Sequence, residues 1–271
     1  MISIITAVHG QMAVNRIFWE SLKRYTRAPF ELIIINNASP DDSGAFFESV
    51  GARVIHNTEN FSYPYSQNQG IAIARHDWLA FLNNDIIVSP GWDERLIASM
   101  QTNDLEAATS CGIEQVETTQ ATRELKRRWK AIKNGLSLFS KGEGNLRRMH
   151  RWMYGDWDQF NAQRTQRFAG HIKEGFVGNT VMLRRSALEK IGLWDERVQA
   201  GDFDLYMRSK MRSLSHGDIR PMHIALDCFV HHYIRLTLKA GYPPFADRDR
   251  LITFDEKWSS QDRRWIDALD R

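Results

Sequence analysis

Two apolar runs, Trp78 to Leu82 and Ile86 to Val88, are interrupted by Asn83, Asn84 and Asp85. A carboxylate at the tip of a buried strand projects from the strand's carboxyl end, which is where open α/β sheets bind their ligands. Asp85 is therefore a candidate metal ligand. The competing reading is turn chemistry, because Asn and Asp side chains hydrogen-bond nearby backbone in turns. Polar residues punctuate the chain in the same way at Thr6 to His9 and at Asn36 to Asp42. A fourth cluster, Gly201-Asp202-Phe203-Asp204, stands where a loop enters a helix. Within it Asp204 has Arg208 four residues on, the spacing of a helix-face ion pair. Asp202 faces elsewhere, and its bland role would be charge pairing with the helix dipole.

The elements that would bring these groups together alternate along the chain. Ile2 to Val8 reads as a strand, Val14, Ile17, Phe18, Leu22 and Tyr25 share one helical face ended by Pro29, and Glu31 to Ile35 is a second strand. Arg53 to Ile55, Trp78 to Leu82, Phe176 to Leu183 and His223 to His232 read as further strands. Ser66 to Arg75, the face Trp92, Leu96, Ile97 and Met100, and Asp202 to Leu214 read as helices. This order predicts an α/β fold with a mostly parallel, Rossmann-like sheet flanked by helices. Its strand ends would set distant polar clusters side by side in one crevice. Beyond Pro243-Pro244 a polar terminal helix is expected from Asp247 to Asp270.

A chain of 271 residues, 42% hydrophobic and 25% charged, has the make-up of an ordinary globular protein, enough for one large domain with an elaboration. No window approaches the ~18 uninterrupted apolar residues of a membrane span. The first residues lack the basic start of a signal peptide. Cys111 and Cys228 sit in apolar runs and suggest buried thiols in a reducing compartment, so the cytoplasm is expected. Charge is unevenly placed: the stretch from Arg123 to Arg151 carries +8 in a chain of net +3, leaving −5 for the remainder. Trp129, Phe139, Trp152 and Trp157 are interleaved with or flank these cations. The segment fits a helix attracted to anionic lipid, a lid with aromatic platforms for sugars, a nucleic-acid patch, or a solvated helix without a partner.

Asn36-Asn-Ala-Ser-Pro-Asp-Asp42, Asn68-Gln-Gly-Ile-Ala-Ile-Ala-Arg75, Leu82-Asn-Asn-Asp85, Arg184-Arg-Ser-Ala-Leu-Glu-Lys-Ile-Gly-Leu-Trp-Asp195 and Gly201-Asp-Phe-Asp-Leu205 together resemble family 2 of the glycosyltransferases, in the same order. The resemblance implies a GT-A fold and transfer of a sugar from a nucleotide-diphosphate sugar with inversion at the anomeric carbon. It implies that Asp85 contacts Mn²⁺ or Mg²⁺, with His231 or His232 as a further contact to the metal or diphosphate. It places the nucleotide against Thr6, Ala7, Val8, Asn36, Asn37, Asn68 and Asn84, with Asn36-Asn37 standing where the family has an Asp. It makes Asp202 the catalytic base, preceded here by Gly201 where the family has Glu.

The organisation expected is a nucleotide-sugar half (1–113), a basic helical insertion facing acceptor or membrane (114–170), a catalytic and acceptor half (171–245) and a C-terminal helix (246–271). The activity expected is a hexosyltransferase of polysaccharide biosynthesis, with a UDP-sugar favoured as donor and a glycan or lipid-linked acceptor. The chain would be cytoplasmic or peripheral at the inner face of the membrane through residues 123–151, and nucleic acid is not an expected partner. A sugar nucleotidyltransferase and a glycan-binding pseudoenzyme are the alternatives. His9-Gly-Gln-Met-Ala13 is not a Gly-rich, Arg- and Lys-bearing phosphate loop and speaks against the first.

Overall fold

Continuous apolar strands require cover on both faces. In β1 (Ile2–Val8) and β2 (Phe30–Asn37), Ile2, Ile4, Leu32 and Ile34 turn to one core while Ile5, Ile33 and Ile35 turn to another. The computed structural model describes residues 1–136, 142–234 and 243–269. Its sheet adds β3 (Arg53–Asn57), β4 (Trp78–Leu82), β5 (Ile86–Ile87), β6 (Ala107–Gly112), β7 (Ile172–Glu174), β8 (Thr180–Arg184) and β9 (His223–His232). The strand order is β3-β2-β1-β4-β8-β6-β9-β5, with β7 also paired to β9. Strands β3, β2, β1, β4, β6 and β9 run one way, and β8, β5 and β7 run against them. The carboxyl ends of β1, β2, β4, β6 and β9 thus share one edge.

Helices α1 (Met12–Tyr25) and α4 (Trp92–Thr102) bury Phe18, Leu22, Trp92, Leu96 and Met100 on the first face, with Phe47 of α2 (Ser43–Ser49). On the second face, α3 (Tyr63–Ile73), α8 (Arg185–Ile191) and α9 (Gly201–His216) contribute Ile71, Ala187, Ile191, Leu205 and Met207. Each buried Leu, Ile, Phe or Met among them stabilises the fold by roughly 1.5–3 kcal/mol relative to exposure.

The basic stretch forms three helices, α5 (Thr119–Leu136), α6 (Glu143–Tyr154) and α7 (Trp157–Phe168). They are not a loose attachment. Trp129, Leu136, Leu146, Met149, Met153, Trp157 and Phe168 build a third core on Phe229 and Tyr233. Trp129 and Trp157 are therefore core side chains, not sugar platforms, and Trp152 alone of the three is exposed, at 54%. Phe139 and Lys141 lie outside the described residues.

Two other expectations need correction. The strand from Phe176 to Leu183 begins only at Thr180, because Phe176 to Asn179 form a loop at the sheet edge. The single terminal helix is instead a 3-10 turn at Arg248–Arg250, α10 (Phe254–Lys257) and α11 (Ser260–Asp267). The chain restarts because Thr253 and Ser259 cap the amides of Glu256 and Asp262, and each N-cap residue itself takes extended, non-helical backbone.

Candidate active site

The Asn83-Asn84-Asp85 cluster leaves β4 at the shared edge and turns directly into β5. Two backbone bonds fix that turn: Asn83 N–H donates to the Asn179 carbonyl at 3.0 Å, and Tyr233 N–H to the Asp85 carbonyl at 2.9 Å. Because β5 pairs Ile86 with His232 and Ile87 with His231, the end of β9 is delivered beside Asp85. Asp85 is 4% exposed, and its Oδ1 lies 3.0 Å from His232 Nε2. The other ring nitrogen of His232 meets the Glu114 carboxylate just beyond β6. Asn179 Nδ2 donates to the same Glu114 oxygen at 3.2 Å. Burial opposes a charge on His232, but Asp85 and Glu114 outweigh it and raise its pKa well above the usual value. Burial likewise opposes the Glu114 carboxylate, and His232 reverses the balance and holds it below its usual range.

His231 goes the other way. Successive residues of a strand alternate faces, so its imidazole is fully buried among Trp129, His150, Tyr154 and Tyr233, with Nδ1 2.9 Å from the Tyr154 hydroxyl. Of the two histidines left open by the sequence, His231 belongs to the core beneath the insertion, and His232 is the one that meets Asp85.

Two cavities open at this edge. One, of about 220 Å³, is lined by Ala7, Val8, Asn37, Phe61, Tyr63 and Asn84, with Pro243 and Phe245 across it. Gly10 at φ +66 turns the chain sharply from β1 into α1. Its N–H donates to Ser39 Oγ at 2.8 Å, which joins the ends of β1 and β2 around the cavity. Asn84 Nδ2 donates to Asn15 Oδ1 at 2.7 Å from the opposite side.

The remaining expected nucleotide contacts are placed differently. Asn36 spends its amide on His56 and on the Ser39 N–H. Asn37 lines the cavity, but its amide donates to Ser66 Oγ and the Phe61 carbonyl and accepts from Asn57. Both side chains therefore organise the strand end. Thr6 is fully buried one residue below the cavity. Asn68 is not in the lining: it clamps the Trp194 backbone, donating to the carbonyl at 2.9 Å and accepting from the N–H at 3.1 Å.

The second cavity, about 410 Å³, is lined by Glu114, Lys126, Phe176, Gly178, Asp202 and Phe203. Asp202 opens α9 and lies so close over Gly178 that a Cβ there would stand 2.0 Å from its Oδ2. Burial and, after it, the Asp202 charge push the Tyr63 hydroxyl upward, which sets Asp202 near the first cavity, lined by Tyr63, as well. Gly201 has a reason of its own. A Cβ there would meet the Trp194 ring at 2.9 Å, so a Glu at this position would have to displace that ring.

Two residues of this site escaped the sequence reading. Glu114 stands two residues past the apolar strand β6, the same signal that marked Asp85, but with a single polar residue to carry it. Lys126 was legible only as one cation of a basic helix.

A family model described as glycosyl transferase family 2 matches residues 3–192. The chain belongs to that family. Among curated relatives, the uncharacterized glycosyltransferase EpsJ of Bacillus subtilis is 28% identical over 127 residues, 45% of this chain and 36% of that protein. The hyaluronan synthase of Pasteurella multocida is 23% identical over 211 residues, 72% of this chain and 21% of the synthase. The chain thus spans about a third of the length of the first and a fifth of the second. Among solved structures, mannosyltransferase PcManGT from Pyrobaculum calidifontis, in complex with GDP-Man and Mn²⁺, superposes with a TM-score of 0.54 at 12% identity, over 89% of this chain and 58% of that one. S. aureus TarS 1-349 superposes with a TM-score of 0.52 at 11% identity, over 85% of this chain and 60% of that one. The fold of this family 2 chain is the GT-A type. No described helix is long and apolar enough to cross a membrane.

Proposed function

We propose that the chain is an inverting glycosyltransferase of polysaccharide biosynthesis, moving a hexose from a nucleotide-diphosphate sugar, with UDP as the favoured carrier, to a hydroxyl of a glycan or lipid-linked acceptor. The observation that carries this reading is the placement of Asp85 and His232 at one sheet edge with a cavity on either side, the larger one holding Asp202. On this reading the nucleotide takes the cavity of Ala7, Val8 and Asn84, and the acceptor takes that of Asp202 and Phe203.

Family membership implies Mn²⁺ or Mg²⁺. Among the described residues no three His, Cys, Asp or Glu converge as a complete cage. A pair of protein donors still fits, because such cations are commonly held between one or two protein groups and the substrate's own phosphates. Asp85 and His232 supply an oxygen and a nitrogen 3.0 Å apart, the nitrogen becoming a donor once the cation displaces the ring proton that the two carboxylates favour, and Glu114 on the far nitrogen would fix the ring as carboxylates do behind metal-bound histidines. When bound, the cation supplies Lewis-acid stabilisation of the departing diphosphate.

The rest falls to the protein. A sugar hydroxyl is a poor nucleophile until its proton is leaving. Asp202 takes that proton while the hydroxyl oxygen bonds to the anomeric carbon from the side opposite the diphosphate. The bond from that carbon to the diphosphate oxygen breaks with both electrons, and the configuration inverts. Placement in the cytoplasm, peripheral at the inner face of the membrane, belongs to the same reading.

Calorimetry with UDP and with GDP, each with and without Mn²⁺, is the test, followed by donor hydrolysis in Mn²⁺. Metal-dependent binding of one nucleotide that is lost in Asp85→Ala, together with slow hydrolysis, is the expected result. No binding of either nucleotide overturns the reading, unchanged affinity in the variant removes Asp85 from the site, and binding without hydrolysis or transfer points to a glycan-binding pseudoenzyme.

A further inference from the structure

The outer side of α6 has no part in the site at the sheet edge. Its inner side buries Asn145, Leu146, Met149 and Met153. Gly144, Arg148, Arg151 and Trp152 recur at helical spacing on the other side, where residues three and four apart are neighbours. Gly144, Arg147, Arg148 and Arg151 line a recess of about 250 Å³. Arg147 is fixed there by Glu20 at 2.6 Å and Glu143 at 2.8 Å, whereas Arg148 and Arg151 form no ion pair among the described residues. The recess is open at Gly144, where no atom lies within 4 Å of the place a Cβ would take. Beside the arginines, Trp152 is 54% exposed, and Arg128 Nη2 donates to its carbonyl at 2.9 Å, fastening α5 to α6.

We propose that this recess takes the phosphate of an anionic phospholipid, with Trp152 seated next to it in the headgroup layer. The inference rests on the peripheral-membrane part of the functional reading and names the face and the lipid chemistry behind it. Guanidinium groups match phosphate with paired N–H donors. Adjacent cations without a protein carboxylate are relieved by an external anion. An indole with an apolar body and a polar tip suits the bilayer interface, and a soluble phosphate would leave it without a role. The proposal also divides the basic segment, since Lys126 turns toward the 410 Å³ cavity and not to this face.

Co-sedimentation with vesicles of about one-third phosphatidylglycerol in phosphatidylcholine, at low salt, tests the proposal on the full chain. Binding is expected, falling as salt rises, and falling roughly tenfold or more in Arg148→Gln/Arg151→Gln. Trp152→Ala should weaken it as well, while Arg16→Gln/Lys23→Gln, which removes the same charge from α1, should leave it intact. UDP affinity in Mn²⁺ should be unchanged in all three variants, which separates this result from the fate of the donor site. Absence of binding by the wild type, or equal losses in the two double variants, overturns the proposal. So does titration with glycerol 3-phosphate that saturates the recess while vesicles stay unbound, since the site would then serve a soluble phosphate.

Discussion

His231 and His232 are adjacent in the chain and serve opposite sides of the sheet: the first touches Tyr154 in the core, the second bridges Asp85 and Glu114. Substituting them should therefore separate two properties. In His232→Gln, the affinity for UDP with Mn²⁺ should fall about tenfold or more, and Glu114→Gln should cost about 10- to 100-fold through the orientation of the ring. His231→Phe should leave that affinity unchanged and alter only stability. Calorimetry on the three variants decides it, and equal losses at 231 and 232 would count against the assignment.

Asp202 should carry turnover without carrying donor binding. Asp202→Asn keeps the shape over Gly178 but does not accept the acceptor's proton, so transfer should slow by about 10²-fold or more. Donor affinity should change little, because the proposed function assigns the nucleotide to the other cavity. Transfer rate and UDP affinity measured on the same preparation check it, and a near wild-type rate would move the base elsewhere.

The sheet edge was legible because Asn83 to Asp85 and His231-His232 are polar groups ending apolar strands, and burial gives such residues few other reasons to be there. What lay hidden was set by tertiary contact. Nothing in Asn36-Asn37 or Asn68 reveals that their amides are consumed by Ser66, His56 and the Trp194 backbone. The choice between His231 and His232 depends on strand phase, which one adjacent pair does not reveal. The basic stretch was read by its charge, while the Trp and Met residues spaced along its helices decided where it packs. The antiparallel β8 was hidden as well, since a buried strand reads the same in either direction.

His150 predicts a pH dependence of stability. Its imidazole faces His231, Tyr154 and Trp157, near Arg147, and burial followed by the Arg147 charge lowers its pKa to about 3. The unfolded chain takes up that proton near pH 6.5 and the native state refuses it, so stability is full above about 6.5 and declines as pH falls toward 3. At pH 5 the loss attributable to this residue is about 1–2 kcal/mol. His150→Phe should lose less stability than the wild type between pH 7 and pH 5 in urea titrations. Parallel losses in both proteins would show that His150 is protonated in the native state.

Asp204 pairs with Arg208 at 2.8 Å, as the spacing predicts, but the consequence differs from that of a surface pair. Its side chain is fully buried and also accepts from Lys257 Nζ at 2.6 Å and Trp258 Nε1 at 2.9 Å, which ties α10 to the helix that begins with Asp202. An exposed pair at this spacing is worth only a few tenths of a kcal/mol. Removing this carboxylate leaves Arg208, 16% exposed, with only the Ile191 and Gly192 carbonyls among the described residues, while Lys257 keeps Asp195 at 2.7 Å, so the loss should lie toward the lower end of the about 3–5 kcal/mol that breaking a buried pair costs. Asp204→Ala should therefore lower the urea midpoint sharply and release the C-terminal segment to limited proteolysis, while the fraction that stays folded keeps its affinity for UDP with Mn²⁺. A midpoint within experimental error of the wild type would mean that Lys257 and Trp258 do not depend on Asp204, and that the C-terminal segment is held by its apolar contacts alone.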